Sequence, residues 1–232
     1  MRAANTGETV FSIYSWSRPT LSFGRNQPAI GLYDLDKIRA DGIDVVRRPT
    51  GGRAILHHRE ITYSVTAPVE SASLRETYTR INRILQHGLN AIGVLVEAAA
   101  GAQRAEVPSV RPCFETPSKG ELVADGGKLV GSAQWRDGGA LLQHGSILVD
   151  DDQSSLLELS LTPVRGEGWS PPASLHSLLG RAPDTAEVAA AMRDAVRLLE
   201  DEAVTDLDED EVRAAALERV PQFLDEGWTW RR

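Results

Sequence analysis

The chain contains a single cysteine, Cys113, and five scattered histidines among its 232 residues. One cysteine cannot form an internal disulfide, and these residues follow no recognisable zinc-binding pattern. Cys113 is therefore either a small buried apolar side chain or a reactive thiol. The thiolate is the nucleophilic form of cysteine, and a neighbouring cation lowers the pKa of the thiol and so favours that form.

Lys128 could supply this cation if a hairpin brings it to the loop that contains Cys113. A turn between the two residues makes the contact feasible without requiring it, and an exposed hairpin lysine is the more common role for such a residue. The small residues Gly131, Ser132 and Ala133 follow Lys128, and they would let a ligand lie against the strand.

A second cluster, Arg47–Ala54, has the sequence Arg-Arg-Pro-Thr-Gly-Gly-Arg-Ala after a short apolar strand. The adjacent glycines Gly51 and Gly52 allow backbone to approach a ligand closely, and exposed amides in such a turn can bind an anion. Flanking arginines such as Arg48 and Arg53 can donate paired hydrogen bonds to phosphate or carboxylate. An ordinary turn with solvated arginines explains the same pattern.

Three histidines lie near these segments. His57 and His58 are adjacent residues of a predicted strand region, and such neighbours point to opposite faces. We therefore expect one to line a pocket and the other to lie at the surface, rather than a paired metal site. His144 stands beside Gly145, and a lone histidine of this kind is more often a core or turn residue.

Composition and missing motifs remove several classes of function. Hydrophobic residues make up 41% and charged residues 25%, as in globular proteins. No apolar run of about 18 residues and no signal peptide is visible, so we expect a cytoplasmic protein that does not enter the membrane. The net charge of −8 argues against nucleic-acid binding. Phosphate-loop, dinucleotide and Gly-Xaa-Ser-Xaa-Gly motifs are absent from the sequence.

The elements that must position the candidate residues are mixed strands and one long helix, followed by a helical final third. Ser73–Glu76 has a capping-box pattern, and Asp125-Gly126 is a strong hairpin signal. Strands are predicted at Thr9–Ser15, Thr20–Phe23, Ile43–Val46, Ala54–His57, Ile61–Thr66, Val94–Glu97, Glu121–Ala124, Lys128–Gln134, Ala140–Leu142 and Ser146–Val149. Helices are predicted at Tyr33–Ala40, from Ser73 to about Ile92, and at Ser154–Leu161, Ser174–Leu179, Thr185–Glu202 and Glu209–Leu224. Ala98–Pro112 is predicted to be a loop.

These patterns predict an α+β fold with a mixed, mainly antiparallel sheet flanked by helices. The segment Gly166–Pro172 is too short for a clear interdomain linker. We therefore predict a single domain over residues 1–232, with a helical C-terminal part from about 154 to 232.

Taken together, the clusters resemble the superfamily of lipoate–protein ligase A, octanoyltransferases and biotin protein ligases. Arg47–Ala54 is similar to the family's Arg-Arg-Xaa-Ser/Thr-Gly-Gly segment, in which Thr50 takes the Ser/Thr position. Gly127–Gln134 is similar to its Gly-Lys-Xaa-Xaa-Gly-Ser-Ala segment. The resemblance spans about Thr9 to Asp150. The helix that usually precedes the family's first strand is expected to be missing, because the chain starts almost at that strand.

Within the superfamily the chain resembles the octanoyltransferase branch. Arg53 replaces the third glycine usual in ATP-using ligases, and Cys113 stands where this branch keeps its nucleophile. Glu60–Ser64 and Gln143–Leu148 are also similar to that branch. The resemblance implies that Lys128 tunes Cys113.

The resemblance implies that Cys113 accepts octanoate from octanoyl-acyl carrier protein as a thioester and passes it to a lysine of a lipoyl domain, for which the glycine cleavage H protein is the expected acceptor. It implies neither metal nor ATP. The Gly51-Gly52 turn and Gly131-Ser132 would then form the walls of a narrow acyl tunnel, with His57 and His144 near its mouth.

Three alternatives stay open at this point. An ATP-dependent lipoate ligase would use the same glycine and lysine segments without needing a cysteine. An octanoyl amidotransferase between lipoyl domains would also use Cys113 and differs only in its donor. A non-catalytic protein that binds an acyl group or a carrier would have kept the pocket alone.

Overall fold

The computed structural model describes residues 6–69, 72–100, 113–114, 117–161 and 171–231. The strands within these ranges form two sheets. The larger contains, in spatial order, β1 (Val10–Tyr14), β5 (Glu60–Pro68), β9 (Ala140–Leu148), β8 (Gly127–Asp137), β7 (Leu122–Ala124) and β6 (Glu97–Ala98), all paired antiparallel. The smaller contains β3 (Asp44–Arg47), β2 (Thr20–Phe23) and β4 (Ile55–His57), in which β2 and β3 are parallel.

Helices flank these sheets, which confirms the predicted α+β fold with a mainly antiparallel sheet. The described helices are α1 (Leu35–Ala40), α2 (Leu74–Ala91), α3 (Ser155–Glu158), α4 (Leu175–Leu179), α5 (Thr185–Leu199), α6 (Glu209–Leu217), α7 (Val220–Leu224) and α8 (Glu226–Thr229). Helix α2 begins with the predicted capping box, in which Ser73 and Glu76 bond to each other's backbone amides. Among the described residues, no helix combines the length and the apolar character needed to span a bilayer.

The tight turn between β7 and β8 forms at the predicted position. Asp125 has a φ of 47° and Gly126 a φ of 78°, and two successive positive φ angles match the right-handed twist of a hairpin. This turn matters for the site, because it brings Glu121 and Lys128 to the same end of the sheet.

Several predicted boundaries were wrong. Ala140–Leu142 and Ser146–Val149 are one strand, β9, because Gly145 continues the strand where it lies against the Gly131 carbonyl. The predicted helix Glu209–Leu224 is split into α6 and α7, and Pro221 lies at the start of α7, where its missing N–H costs nothing.

Other elements are shorter or shifted. The predicted strand Val94–Glu97 is β6, Glu97–Ala98, although Val94 and Val96 are buried in the core. The predicted helix Ser154–Leu161 is reduced to α3. The predicted loop Ala98–Pro112 lies mostly outside the described residues.

The larger sheet has two faces of different character. Ile61, Tyr63 and Ile147 pack in the main core together with side chains of α2 and α5. The residues between them, such as Thr62 and Ser146, point to the other face, because successive strand residues alternate. The smaller sheet lies over this second face.

Candidate active site

Cys113 and Lys128 meet at the end of the β7–β8 hairpin. Nζ of Lys128 donates to the backbone carbonyl of Cys113 at 2.8 Å and lies 3.8 Å from its Sγ. Lys128 is buried, whereas Cys113 is half-buried. The structure therefore places an ammonium group beside a partly accessible thiol.

Glu121 completes this arrangement, and its role was not predicted from the sequence. Its Oε2 lies 2.8 Å from Nζ of Lys128, in an ion pair whose two side chains are almost fully buried. The ring of Phe114 lies 5.0 Å from the same ammonium, as a cation–π partner. A buried ammonium needs such partners, since an unpaired charge in the interior is costly. Glu121 thus supplies a counter-charge to Lys128 and holds its side chain in place.

The Cys113 loop is attached to both sheets. Its backbone N–H donates to the carbonyl of Ala54 at 3.1 Å. The side chains of Ile55 on β4, Phe114 and Leu148 on β9 form an apolar cluster, against which Cys113 packs. These contacts place the thiol between the two sheets.

The side chains around Gly131 leave little room for a larger residue. A Cβ at this position would lie 3.0 Å from Cζ of Phe114 and 3.2 Å from Cε of Lys128. A larger residue would therefore push directly on the groups that hold the ammonium.

Arg48 shapes the Thr-Gly-Gly turn from within. Its guanidinium donates to the carbonyls of Ser22 at 2.8 Å, Gly51 at 3.0 Å and Arg53 at 2.7 Å. Burial lowers the pKa of Arg48, while the nearby charges of Cys113 and Glu60 partly oppose that shift. We predicted arginine donors for an anionic ligand, and these contacts show that Arg48 directs donors to backbone carbonyls.

The turn itself is exposed and fits closely against β2. Gly52 has a φ of 100° and lies so near Arg48 that an added Cβ would be 2.8 Å from its Nη2. A Cβ on Gly24 would lie 2.0 Å from the carbonyl oxygen of Gly52. The conformation of the turn therefore depends on glycine at both positions.

Thr50 joins this turn to the larger sheet. Its hydroxyl lies 2.7 Å from Nε2 of His144 on β9. Burial lowers the pKa of His144 to about 3, and electrostatic interactions with Arg48 and His57 add to this effect. His144 is thus a neutral hydrogen-bonding residue at pH 7.

Ser132 and Ala133 face opposite sides of β8. The hydroxyl of Ser132 lies 2.6 Å from that of Tyr63, on the face that α2 covers. Ala133 pairs with His144 across the strands and shares its face. Of these two predicted ligand-binding residues, only Ala133 points toward the smaller sheet.

His57 is buried and His58 is exposed, and the role of His57 in lining a pocket stays a prediction. Nδ1 of His57 lies 2.9 Å from Oε1 of Glu60. The indole ring of Trp16 stacks on the imidazole with centroids 4.3 Å apart. Neither partner was predicted from the sequence, although Glu60 belongs to a segment that resembles the octanoyltransferase branch.

A cavity of about 970 Å³ lies on the opposite, helix-covered side of the larger sheet. Its lining includes Phe11 and Ile13 of β1, Ile81 of α2 and Ala189 of α5. This cavity is not beside Cys113. The acyl tunnel stays a prediction, because most residues around Cys113 and Phe114 in the sequence lie outside the described ranges.

Comparison with known proteins agrees with this fold and these motifs. Residues 1–197 match the family described as the lipoyl protein ligase A/B catalytic domain. The chain is 43% identical over 173 residues to Octanoyltransferase LipM of Kyrpidia tusciae, covering 70% of this chain and 63% of that protein. It is 41% identical over 159 residues to Octanoyltransferase LipM of Carboxydothermus hydrogenoformans, covering 67% of this chain and 58% of that protein.

Among solved structures, a bipartite lipoate protein ligase from Thermoplasma acidophilum has the same fold. It is 19% identical, with a TM-score of 0.72 over 97% of this chain and 85% of that chain. The chain therefore belongs to the lipoyl protein ligase A/B catalytic domain family. It spans about three fifths of the length of the two curated relatives.

Proposed function

We propose that this protein is a protein octanoyltransferase of lipoate biosynthesis that works through an acyl-Cys113 thioester. The observation that carries the proposal is the ammonium of Lys128, held by buried Glu121, at 3.8 Å from the sulfur of Cys113. A thiolate is stabilised by an adjacent positive charge, and the thiolate is the form that attacks a thioester.

In the first half-reaction the donor is octanoyl-acyl carrier protein. The Cys113 thiolate attacks the thioester carbonyl, a new carbon–sulfur bond forms, and the carrier leaves as a thiolate. Lys128 lies close enough to stabilise the negative charge on the Cys113 sulfur before attack.

In the second half-reaction a lysine of a lipoyl domain takes the octanoyl group as an amide. The bipartite ligase of Thermoplasma acidophilum is described together with its E2 lipoyl domain, which supports a lipoyl domain as the kind of acceptor. The glycine cleavage H protein is the specific acceptor we propose. The exchange between thioesters has a free-energy change near zero. Formation of the amide therefore supplies the favourable free energy of the whole cycle.

The names of the curated relatives favour octanoyl transfer over ligation with ATP. Both are octanoyltransferases by name, and the Cys113–Lys128 contact gives this chain a group for covalent transfer. The single-domain organisation over residues 1–232 and the cytoplasmic location stay predictions that belong to this proposal.

Intact mass spectrometry after mixing the protein with octanoyl-acyl carrier protein tests the proposal. We expect a gain of one octanoyl group that hydroxylamine removes, and we expect Cys113→Ala to abolish it. Cys113→Ser is the matched control, because it keeps the size of the side chain while replacing sulfur with a poorer nucleophile. Full activity of Cys113→Ser with ATP and lipoate would instead identify an ATP-dependent ligase.

A donor screen separates the octanoyltransferase from an amidotransferase. Octanoyl-acyl carrier protein and an octanoylated lipoyl domain should be offered in separate reactions. Acylation of Cys113 from the carrier protein supports the proposal, and acylation from the lipoyl domain alone contradicts it.

A further inference from the structure

The two proposed half-reactions differ by one proton. In the first, a thiolate displaces a thiolate, so no proton has to move. In the second, a neutral amine becomes an amide, and its nitrogen must lose a proton. A general base is therefore needed in the second half-reaction alone.

Two other groups of the candidate site are poorly suited to this task. The ammonium of Lys128 donates to Glu121 and to the Cys113 carbonyl, and an ammonium has no lone pair to accept a proton. His144 directs Nε2 to the hydroxyl of Thr50, and burial lowers its pKa to about 3.

His57 has the geometry of an oriented base. Nδ1 lies 2.9 Å from Oε1 of Glu60, so the carboxylate holds the tautomer that carries its proton on Nδ1. Nε2 is then the basic nitrogen, and it has no hydrogen-bond partner within the described part of the chain. The stacked ring of Trp16 keeps the imidazole in this orientation.

The surroundings of Glu60 favour an interaction with a positively charged neighbour. Its Oε1 also accepts from Thr62 at 2.6 Å and from Ser146 at 2.7 Å, while Oε2 is buried without a hydrogen-bond partner among the described residues. The Coulomb energy of a carboxylate becomes more favourable when a neighbouring imidazole accepts a proton and becomes positive.

Other charges also act on this pair. Arg48 and Tyr14 lie within electrostatic range of Glu60, and His144 lies within range of His57. Arg48 is the one of these that carries a full positive charge, and it disfavours a second one nearby. Its guanidinium is directed to backbone carbonyls of the turn, whereas Glu60 contacts the imidazole directly.

Strand pairing places His57 and Glu60 beside residues of the apolar cluster that Cys113 contacts. His57 and Ile55 share a face of β4, and Ile55 packs in the apolar cluster that contacts Cys113. Glu60 pairs with Leu148, a second member of that cluster.

We infer that His57, oriented by Glu60, is the general base of the amine half-reaction. The amine nitrogen attacks the acyl-Cys113 carbonyl and its proton passes to Nε2 of His57. The carbon–sulfur bond then breaks with its electron pair on sulfur, beside the ammonium of Lys128. This inference rests on the proposed function, and it makes Glu60 a positioning residue.

The test measures removal of the octanoyl group from isolated acyl-enzyme by two nucleophiles. One is the lysine of an apo-lipoyl domain, and the other is 2-mercaptoethanol, whose thiolate attacks without losing a proton. The variants are His57→Gln and Glu60→Gln, with His58→Gln as the matched control. Thermal unfolding confirms that each variant is folded, and Glu60→Gln decides the question if His57→Gln does not fold.

We expect His57→Gln to slow transfer to the lysine by about a hundredfold or more. Glu60→Gln should slow it by about tenfold or more, because an amide can stabilise the wrong tautomer. Formation of the acyl-enzyme and its removal by the thiol should stay within about twofold of the unaltered protein in both variants, since general base catalysis has no part in thiolate exchange. His58→Gln should change neither rate.

Two results would overturn the inference. One is unchanged transfer to lysine in a folded His57→Gln or Glu60→Gln variant. The other is an equal loss with both nucleophiles, which would mean that the pair only supports the structure. Absence of any acyl-enzyme in the unaltered protein is a different failure, because it would remove the proposed function itself.

Discussion

The two faces of the larger sheet treat buried polar groups differently. On the helix-covered face the hydroxyl of Tyr63 contacts Ser132 at 2.6 Å and accepts from Gln143 at 3.0 Å, and Gln143 extends toward Asn82. On the other face one oxygen of Glu60 has no partner within the described ranges. Networks in which every polar group is hydrogen-bonded stabilise a fold. A polar group that keeps an unbonded atom can instead take part in a reaction.

The largest effect should follow from Lys128→Met. This change leaves Glu121 as an uncompensated buried charge, so we expect a loss of about 3–5 kcal/mol in the free energy of unfolding. Acylation of Cys113 should also fall by about a hundredfold or more, because the thiolate loses its counter-charge. Chemical denaturation and the rate of acyl-enzyme formation measure the two effects.

The double variant Lys128→Met with Glu121→Gln provides the control. It removes both charges, so most of the lost stability should return while acylation stays slow. Recovery of acylation together with stability would show that Lys128 has a structural role only.

On the helix-covered face, Gly145→Ala should be the most damaging change. Its Cβ would lie 2.3 Å from the backbone carbonyl of Gly131 and 2.7 Å from the Tyr63 ring. Backbone cannot move aside as a side chain can, so we expect a loss of about 3 kcal/mol in the free energy of unfolding, measured by urea denaturation.

Gly131→Ala sharpens this result because the three atoms nearest its Cβ all belong to side chains, those of Phe114 and Lys128. Gly131→Ala should lower the rate of Cys113 acylation, and its loss in the free energy of unfolding should be smaller than that of Gly145→Ala. A larger loss of stability in Gly131→Ala and a larger loss of acylation in Gly145→Ala would contradict the division of the sheet into a structural face and a catalytic face.

Tyr63→Phe should have a smaller effect. It removes the hydroxyl shared by Ser132 and Gln143, and the partners left behind cost about 1–2 kcal/mol. The rate of octanoyl transfer by the folded protein should not change. A loss of transfer without a loss of melting temperature would contradict this expectation.

The pH dependence of stability should carry a contribution from His144. Its pKa is about 3 in the folded protein, against an ordinary value near 6.5. The unfolded chain therefore binds the extra proton first, and stability should fall as the pH drops from about 6.5 toward 3. One proton corresponds to a slope of at most about 1.4 kcal/mol per pH unit. His144→Gln should reduce the slope of denaturation free energy against pH, and an unchanged slope would contradict this assignment.

Local sequence signals predicted much of the framework. Ser73 and Glu76 form their capping box, and Asp125-Gly126 forms its turn, because both depend on residues close in the chain. The length of β9 was wrong, since Gly145 is set by the approach of a neighbouring strand. Local patterns do not contain that information.

The candidate site was predicted in part for the same reason. Cys113 and Lys128 are recognisable by type, but Glu121 and Glu60 acquire their roles through strand pairing and burial. Ser132 is predicted to let a ligand lie against its strand, and the strand register directs its hydroxyl to Tyr63 on the helix-covered face. Which face a strand residue occupies depends on register, and a sequence alone leaves register open.

Residues near the end of the described chain form hydrogen bonds with Arg47, which precedes Arg48 in the sequence. Arg47 is completely buried, and its guanidinium donates to the carbonyls of Thr229 at 2.8 Å and of Gly24 at 2.7 Å. Trp228 donates back to the Arg47 carbonyl at 2.7 Å. Cleavage before Glu226 would thus loosen β3 and the glycine turn that follows it. The segment with Trp228 and Thr229 therefore helps to hold the strand that leads into the site, and we expect its removal to slow acylation of Cys113.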